Sequence, residues 1–478
     1  MKSQIDEAYD PSNFRKRGHE LVDLLADYLA STQKDEKPKV FKPFDPEDLY
    51  KFWAAKLGEN NSDNFEGWAD EVIEDSIHLH HSGYMGHQVS PVLPEAALAD
   101  LLSAFMNNGV GVYEMGSPTV AMERAVIKEL AGRLGFDSRV DGFLTSGGTL
   151  GNLTALLAAR QIKAEGDIWK DGNGKRKFGF LVSEQAHYCI NRAVKIMGWG
   201  EEGIISVPTD DRFRMDTACL SDAYRRAQSQ NIEVLGAVGS ACSTATGTFD
   251  PLDEIADFCK EHNLWFHVDA AHGGAAAYSE TYKPVLKGIE RADSVIVDFH
   301  KMMMCPALVT GVVFKDPVSS YRTFAQKASY LWEKEEHEWY NLGKRTFECT
   351  KDMMALKVFT LLNRYGPKLF EEIVNRLFNL GDSFAALIRE RENFELAIEP
   401  QSNIVCFRHV SQSGGDLDSH NRKIRRRLID NGNYFIVQTE LNGKLYLRTT
   451  LMNVYSRPED LKGLLDEIEE LSEEPVDN

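Results

Sequence analysis

Apolar residues change their spacing along the chain, and each change marks an element. Near the start, Phe14, Leu21, Val22, Leu25, Tyr28 and Leu29 recur at the spacing of one helix face, behind the capping group Asp10-Pro11-Ser12-Asn13. Lysines and prolines between 34 and 46 predict a connector. From about residue 120 the pattern becomes short apolar runs at 142–145, 179–182, 204–207, 234–238, 265–268, 294–297 and 311–314. Helical stretches at 150–163, 189–197, 221–227 and 252–262 lie between several of them. Buried strands alternating with helices predict a mostly parallel sheet covered on both faces. In such sheets ligands sit at the carboxyl ends of the strands. A long helical run over 351–391 leads to a smaller α+β region, with strands expected at 403–408, 434–438 and 444–449 and a closing helix at 458–471.

Size and charge narrow the partners. A chain of 478 residues exceeds one small core and predicts two or three packed domains. A net charge of −19 disfavours nucleic acid or an anionic membrane as the main partner, while leaving room for a local basic pocket. The first residues lack a basic start before an apolar core, and no run of about 18 apolar residues occurs, so neither a secretory signal nor a spanning helix is expected. The seven cysteines (Cys189, Cys219, Cys242, Cys259, Cys305, Cys349 and Cys406) are odd in number, scattered and without CxxC pairing. They predict reduced thiols in a cytoplasm, with no disulfide framework and no metal site.

Four loops at expected strand ends carry the chemistry. The first, Thr145-Ser146-Gly147-Gly148-Thr149-Leu150-Gly151-Asn152, follows a strand and opens a helix. Its small residues let backbone N–H groups approach an anion, so a phosphate fits, although a tight turn alone reads the same way. The second, Glu184-Gln185-Ala186-His187, offers a histidine that stacks on a flat ring or donates a proton, or merely caps the next helix. The third, His267-Val268-Asp269-Ala270-Ala271-His272-Gly273-Gly274, places a carboxylate at the end of a strongly apolar strand. Such a buried carboxylate needs a cationic partner, and a protonated pyridine nitrogen is one; a capping aspartate is the plainer alternative. The fourth, Val297-Asp298-Phe299-His300-Lys301, sets a lysine in poorly solvated surroundings. Desolvation there is expected to lower its pKa and free a nucleophilic amine, unless the side chain snorkels to solvent.

In this order and spacing the loops resemble the group II pyridoxal-phosphate (PLP) dependent amino acid decarboxylases, which include glutamate, cysteine sulfinate, diaminobutyrate and aromatic amino acid enzymes. The resemblance runs through HSGYMGHQVSP, YEMGSPTVAMER, TSGGTLGN, EQAH, HVDAAHGG, DFHK, ASYLW and LRTTLMN, nearly the full chain. It implies an α/β fold of the PLP-dependent transferase type I, like aspartate aminotransferase, with a mostly parallel seven-stranded sheet. The implied parts are an N-terminal helical dimerisation segment (1–85), a large PLP-binding domain (86–360) and a small C-terminal α+β domain (361–478). It implies that Lys301 is the Schiff-base lysine, Asp269 the partner of the ring nitrogen, and His187 the stacking histidine with Ala271 against the other face. Gly148, Thr149 and His300 match phosphate-binding positions, Asn152 a further cofactor-binding position, and Ser243 and Thr244 a loop whose hydroxyls contact the ring. Tyr330 matches a mobile-loop tyrosine that returns a proton to the substrate carbon. The family's site lies at a homodimer interface, which puts Val110 and Val112 near the partner's pocket.

Two features leave questions open. Many relatives have Asn-Pro where this chain has Asp298-Phe299, and a negative charge beside a phosphate is unfavourable unless Asp298 turns away or pairs. The stretch His87-Gln88-Val89-Ser90 resembles the glutamate and cysteine sulfinate branch, so Gln88 is expected to bind a side-chain acid, whereas Arg448 occurs in aromatic enzymes too and discriminates little. The expected reaction is decarboxylation of a small acidic amino acid, with an aromatic or diamino substrate as the alternative. Another PLP outcome, such as transamination or oxidative deamination, and a non-catalytic homologue are the rival readings.

Overall fold

The seven short apolar runs become seven strands of one sheet. The computed structural model describes residues 3–34, 38–57, 64–324, 338–411 and 414–473. In it β1 is Asp141–Thr145, β2 Lys177–Ser183, β3 Ile204–Val207, β4 Ile232–Ser240, β5 Trp265–Asp269, β6 Ser294–Asp298 and β7 Thr310–Phe314. The sheet order is β1-β7-β6-β5-β4-β2-β3. Strands β3, β2, β4, β5 and β6 run parallel to their neighbours, and β7 is antiparallel to both β6 and β1. Burial on both faces explains the unbroken apolar runs: every residue of β1, β5, β6 and β7 is buried.

The helix Gly148–Lys163 lies across this sheet. Leu153, Leu156 and Leu157 join one core with Phe143, Phe180, Val182, Ile296, Val312 and Phe314. Burial of each such side chain contributes about 1.5–3 kcal/mol, and this fixes the start of the helix against the strand ends. The expected run over 351–391 is two helices, Ala355–Tyr365 and Lys368–Arg389. Gly366, at φ +69°, and Pro367 separate them, because proline cannot continue a helix that glycine has just ended.

A four-stranded sheet of order β10-β11-β9-β8 forms from β8 (Phe394–Leu396), β9 (Ile404–His409), β10 (Val437–Leu441) and β11 (Lys444–Thr450). The three-residue β8 has no counterpart in the sequence expectation, being too short to show a period. Strand β10 begins later than expected, and its register is set by the Asn442-Gly443 turn at φ +50° and +71°.

The chain divides into two compact units: Met1–His87 with Ser383–Ala397 and Cys406–Asn478, and Gln88–Asp382 with Ile398–Val405. The first unit includes the N-terminal segment because backbone bonds tie it to C-terminal residues. Val40 N donates to Gly432 O (2.8 Å), Met85 N to Phe435 O (2.9 Å) and Thr450 N to Met85 O (2.8 Å). Its longest N-terminal helix, Pro11–Thr32, is capped by Asp10, whose carboxylate accepts from Ser12 N. No helix among the described residues is long and apolar enough to cross a membrane.

Candidate active site

Within the second unit, the carboxyl ends of β1, β2, β4, β5 and β6 surround a cavity of about 300 Å³. Gly148, Thr149 and Asn152 line it from the first loop, His187 from the second, and Thr244 from the segment after β4. Asp269 and Ala271 line it from the end of β5, and His300 and Lys301 from the end of β6. Nine of the residues expected from sequence therefore meet around one space.

The glycine loop leaves backbone donors open at the cavity. Gly147 sits at φ +99°, which an L side chain rarely adopts, and turns β1 directly into the helix Gly148–Lys163. No side chain caps that helix, so its first N–H groups and the positive end of its dipole are left for a ligand. A side chain at Gly148 would place its Cβ 3.1 Å from both carboxylate oxygens of Asp298. Only glycine leaves that cradle clear.

Asp269, at the end of β5, receives neutral donors among the described residues: Asn152 Nδ2 to its Oδ2 (2.9 Å), Ala271 N to its Oδ1 (3.1 Å) and the Cys189 thiol to its Oδ2 (4.0 Å). His187 caps the helix Tyr188–Ile196, its Nδ1 accepting from Cys189 N at 3.4 Å, while its ring lines the cavity. The capping and cavity-lining roles therefore coexist in one residue. Burial, outweighing the attraction of Asp269, holds the His187 imidazole below its ordinary pKa, so it is neutral at pH 7.

Lys301 differs from its expectation. Its Nζ lies 3.0 Å from Asp298 Oδ2. Burial alone would lower the ammonium pKa, but Asp298 and Asp269 outweigh it and hold the group above its ordinary value. The lysine is a charged ion-paired group, and the isolated, desolvated amine is a correction to make. Asp298 pairs, as its charge required: burial would raise it, yet Lys301 and then His300 hold it below the usual carboxylate range. Thr310 Oγ1 donates to its other oxygen at 2.5 Å.

The remaining expected residues fall elsewhere. Ser243 does not line the cavity; its hydroxyl donates to Gln185 O (3.3 Å), and Cys242 and Thr244 on either side reach the space instead. Neither Gln88 nor Arg448 is in the cavity wall. Gln88 lies two residues before Ser90, whose Oγ donates to His300 O (3.2 Å), and Leu93 N donates to Met304 O (3.0 Å), so this segment is tied to the lysine loop. Its Nε2 is a buried donor without a hydrogen-bond partner among the described residues. Arg448 is in the first unit, on β11 opposite Val437. Tyr330 lies outside the described residues.

Sequence reasoning missed His267 and Cys189. His267 Nε2 is 2.7 Å from Asn152 Oδ1, and Cys189 Sγ is 3.2 Å from Asn152 Nδ2. Strand alternation held the signal for the first, since residues two apart on β5 share a face and His267 precedes Asp269 by two.

The donor set fits a phosphorylated ring aldehyde with a basic nitrogen. An uncapped glycine helix start suits the phosphate, Lys301 the aldehyde, and a buried carboxylate with only neutral donors suits a ring N–H⁺. The comparisons agree. The family model for the pyridoxal-dependent decarboxylase conserved domain matches residues 55–410. An acidic amino acid decarboxylase of Xenopus tropicalis is 28% identical over 479 aligned residues, covering 97% of this chain and 93% of that protein. An aromatic-L-amino-acid decarboxylase of Bacillus atrophaeus is 27% identical, covering 96% and 95%. The crystal structure of mouse CSAD superposes with a TM-score of 0.90 at 26% identity, covering 98% of this chain and all of that one.

Proposed function

The chain belongs to the pyridoxal-dependent decarboxylase family and is a PLP-dependent amino acid carboxy-lyase, and on that premise we propose that its substrate is a small acidic amino acid: glutamate, aspartate or cysteine sulfinate. The observation behind the decarboxylase reading is one cavity that holds the Lys301 amine, the Asp269 carboxylate and an uncapped glycine helix start. The observation behind the acidic preference is the buried, unpartnered Nε2 of Gln88 on a segment bonded to the lysine loop. A donor without an acceptor costs about 1–3 kcal/mol when buried, and an acid group on a substrate side chain would relieve that cost.

When bound, the cofactor supplies an aldehyde for the substrate amine and a ring that takes up the electron pair left as CO2 departs. In our reading Lys301 would hold the cofactor through its aldehyde, and Asp269 would pair with the ring nitrogen. The N–H groups of Gly148 and Thr149, with His300, hold the phosphate, while Asp298 faces Lys301. His187 and Ala271 bound the ring, and Tyr330 returns a proton to the substrate α-carbon. The residues that grip the substrate side chain would set which of its bonds is cleaved.

The test is a panel of amino acids with CO2 and amine both quantified. A small acidic substrate is expected to lead, and Gln88→Leu to lower kcat/KM for it by roughly tenfold. Faster release from an aromatic or diamino acid, or an unaffected Gln88→Leu enzyme, overturns the assignment. Keto acid or aldehyde in place of amine would favour a different reaction type.

We further read the protein as a cytoplasmic homodimer in which the 1–85 segment packs on a second copy. Exposed apolar side chains support this, Phe14, Val22 and Leu25 on Pro11–Thr32 and Leu98, Leu101, Leu102 and Phe105 on Pro94–Met106. Val110 is fully buried within its own unit and Val112 half-buried, so of the two Val112 is the better candidate to reach a partner. All seven cysteines are free thiols, in keeping with a reducing compartment.

A further inference from the structure

From the interior of the sheet a line of hydrogen bonds leads to Asn152, which lines the cavity beside Asp269. Trp265 Nε1 is a donor only, and it lies 2.9 Å from Ser294 Oγ. The serine's own hydrogen is therefore free to point at His267 Nδ1, also 2.9 Å away. His267 has no exposed surface, and burial, outweighing Asp269, pushes its pKa down to about 4, so the ring is neutral and carries one proton. Nδ1 also lies 3.2 Å from Ser294 O, so the proton is placed from the other side of the ring: Asn152 Oδ1 can only accept and faces Nε2 at 2.7 Å, which puts the proton on Nε2. The Asn152 amide is thereby oriented with its Nδ2 toward Asp269 Oδ2 at 2.9 Å. The opposite amide orientation would set the amide oxygen against a carboxylate oxygen and an N–H against the Nε2 proton.

We propose that Trp265, Ser294, His267 and Asn152 form a one-way hydrogen-bond chain that orients the Asp269 carboxylate toward the cofactor's ring nitrogen. These are positioning residues, since Asp269 alone would touch the ring. Each link polarises the next in a dry interior, and the last donates to Asp269 Oδ2. The proposal rests on the reading of Asp269 as the ring's partner, and the experiment separates the two.

The variants are His267→Phe, which keeps the ring volume but neither nitrogen, His267→Gln, whose amide can both accept from Ser294 and donate to Asn152, and Asp269→Asn. Each is compared with the parent enzyme by PLP affinity of the cofactor-stripped chain, the visible absorbance of the loaded enzyme, kcat and KM, and thermal unfolding. His267→Phe is expected to weaken PLP binding roughly tenfold and to lower kcat by a similar factor, with substrate KM little changed and the visible band moved. His267→Gln is expected to recover most of both. If His267→Phe binds and turns over like the parent while Asp269→Asn loses both, the chain has no such role and the reading of Asp269 survives. Equal losses in His267→Phe and His267→Gln would reduce His267 to packing and overturn the proposal. An Asp269→Asn enzyme indistinguishable from the parent would remove the premise itself. Should His267→Phe not fold, Ser294→Ala deletes a single hydroxyl of the chain. A shift in band and cofactor affinity in that variant supports the proposal, and parent-like values refute it.

Discussion

Two aspartates end neighbouring parallel strands, and the molecule treats them oppositely. Asp269 closes β5 and Asp298 closes β6, and both are buried. The first is held by an amide and a backbone N–H, all uncharged. The second is held by the Lys301 ammonium at 3.0 Å and the Thr310 hydroxyl at 2.5 Å. A buried carboxylate with neutral donors can still attract a cation, whereas one already paired has spent that attraction. In the proposed reading the difference separates a carboxylate kept for a ligand from one that manages a charge of the protein's own.

The sharpest break of this contrast removes each charge in turn. Asp269→Asn leaves no cation stranded, so stability should change little, while kcat should fall by on the order of 10²–10³ as the ring loses its counter-charge. Steady-state kinetics beside a thermal melt checks both halves, and a large loss of stability with intact kcat would reverse the roles of the two residues. Asp298→Ala should do the converse. It strands the Lys301 ammonium, at a cost of about 3 kcal/mol for a buried pair whose partner is deleted.

The pair also has a pH signature. The Asp298 carboxyl is held below its ordinary 3.8, so its contribution is present above that value and lost as pH falls through the folded pKa. The Lys301 ammonium is held above its ordinary 10.5, so its contribution is present below that value and lost as pH rises through the folded pKa. The pair's own contribution, read as the difference in denaturant stability between the parent protein and Asp298→Ala, should therefore be constant between these limits and shrink on the acid side. Asp298→Asn keeps the hydrogen bond from Thr310 but frees the amine. The pH midpoint for PLP loading by the cofactor-stripped chain should move down, each unit giving about tenfold faster loading at neutral pH. An unchanged midpoint would show that Asp298 does not control the lysine.

The same two residues show what was legible beforehand. The strands were readable because burial on both faces leaves unbroken apolar runs, and the loops because a strand end followed by glycine, aspartate or lysine is conspicuous there. Asp298 was conspicuous too, but whether it turned away or paired depended on Lys301 Nζ, a three-dimensional distance that no spacing encodes. The sign of the lysine's shift was misjudged for the same reason: desolvation can be read from neighbours in sequence, while a compensating charge must be located in space. Ser243 and Thr244 are adjacent, and only the backbone path decides that one reaches the cavity and the other turns to Gln185. His267 was hidden by its setting, since a histidine inside an apolar strand looks like a packed core residue until its partners are seen. The lone Nε2 of Gln88 likewise becomes visible only once every nearby acceptor has been located.

The smallest expected effect sharpens the contrast most finely. Thr310 is fully buried, and its hydroxyl donates to the Asp298 oxygen that Lys301 leaves free. Thr310→Val keeps the shape and removes that donor, which should cost about 1.5–3 kcal/mol for a hydrogen bond to a charged acceptor. The same change in an Asp298→Asn background should cost less, because the acceptor is then neutral. The coupling measured by the double-mutant cycle therefore reports the charge of Asp298 directly. Additive losses would mean that Asp298 is no more anionic toward Thr310 than an amide is, and the distinction between the two strand ends would reduce to one of partners alone.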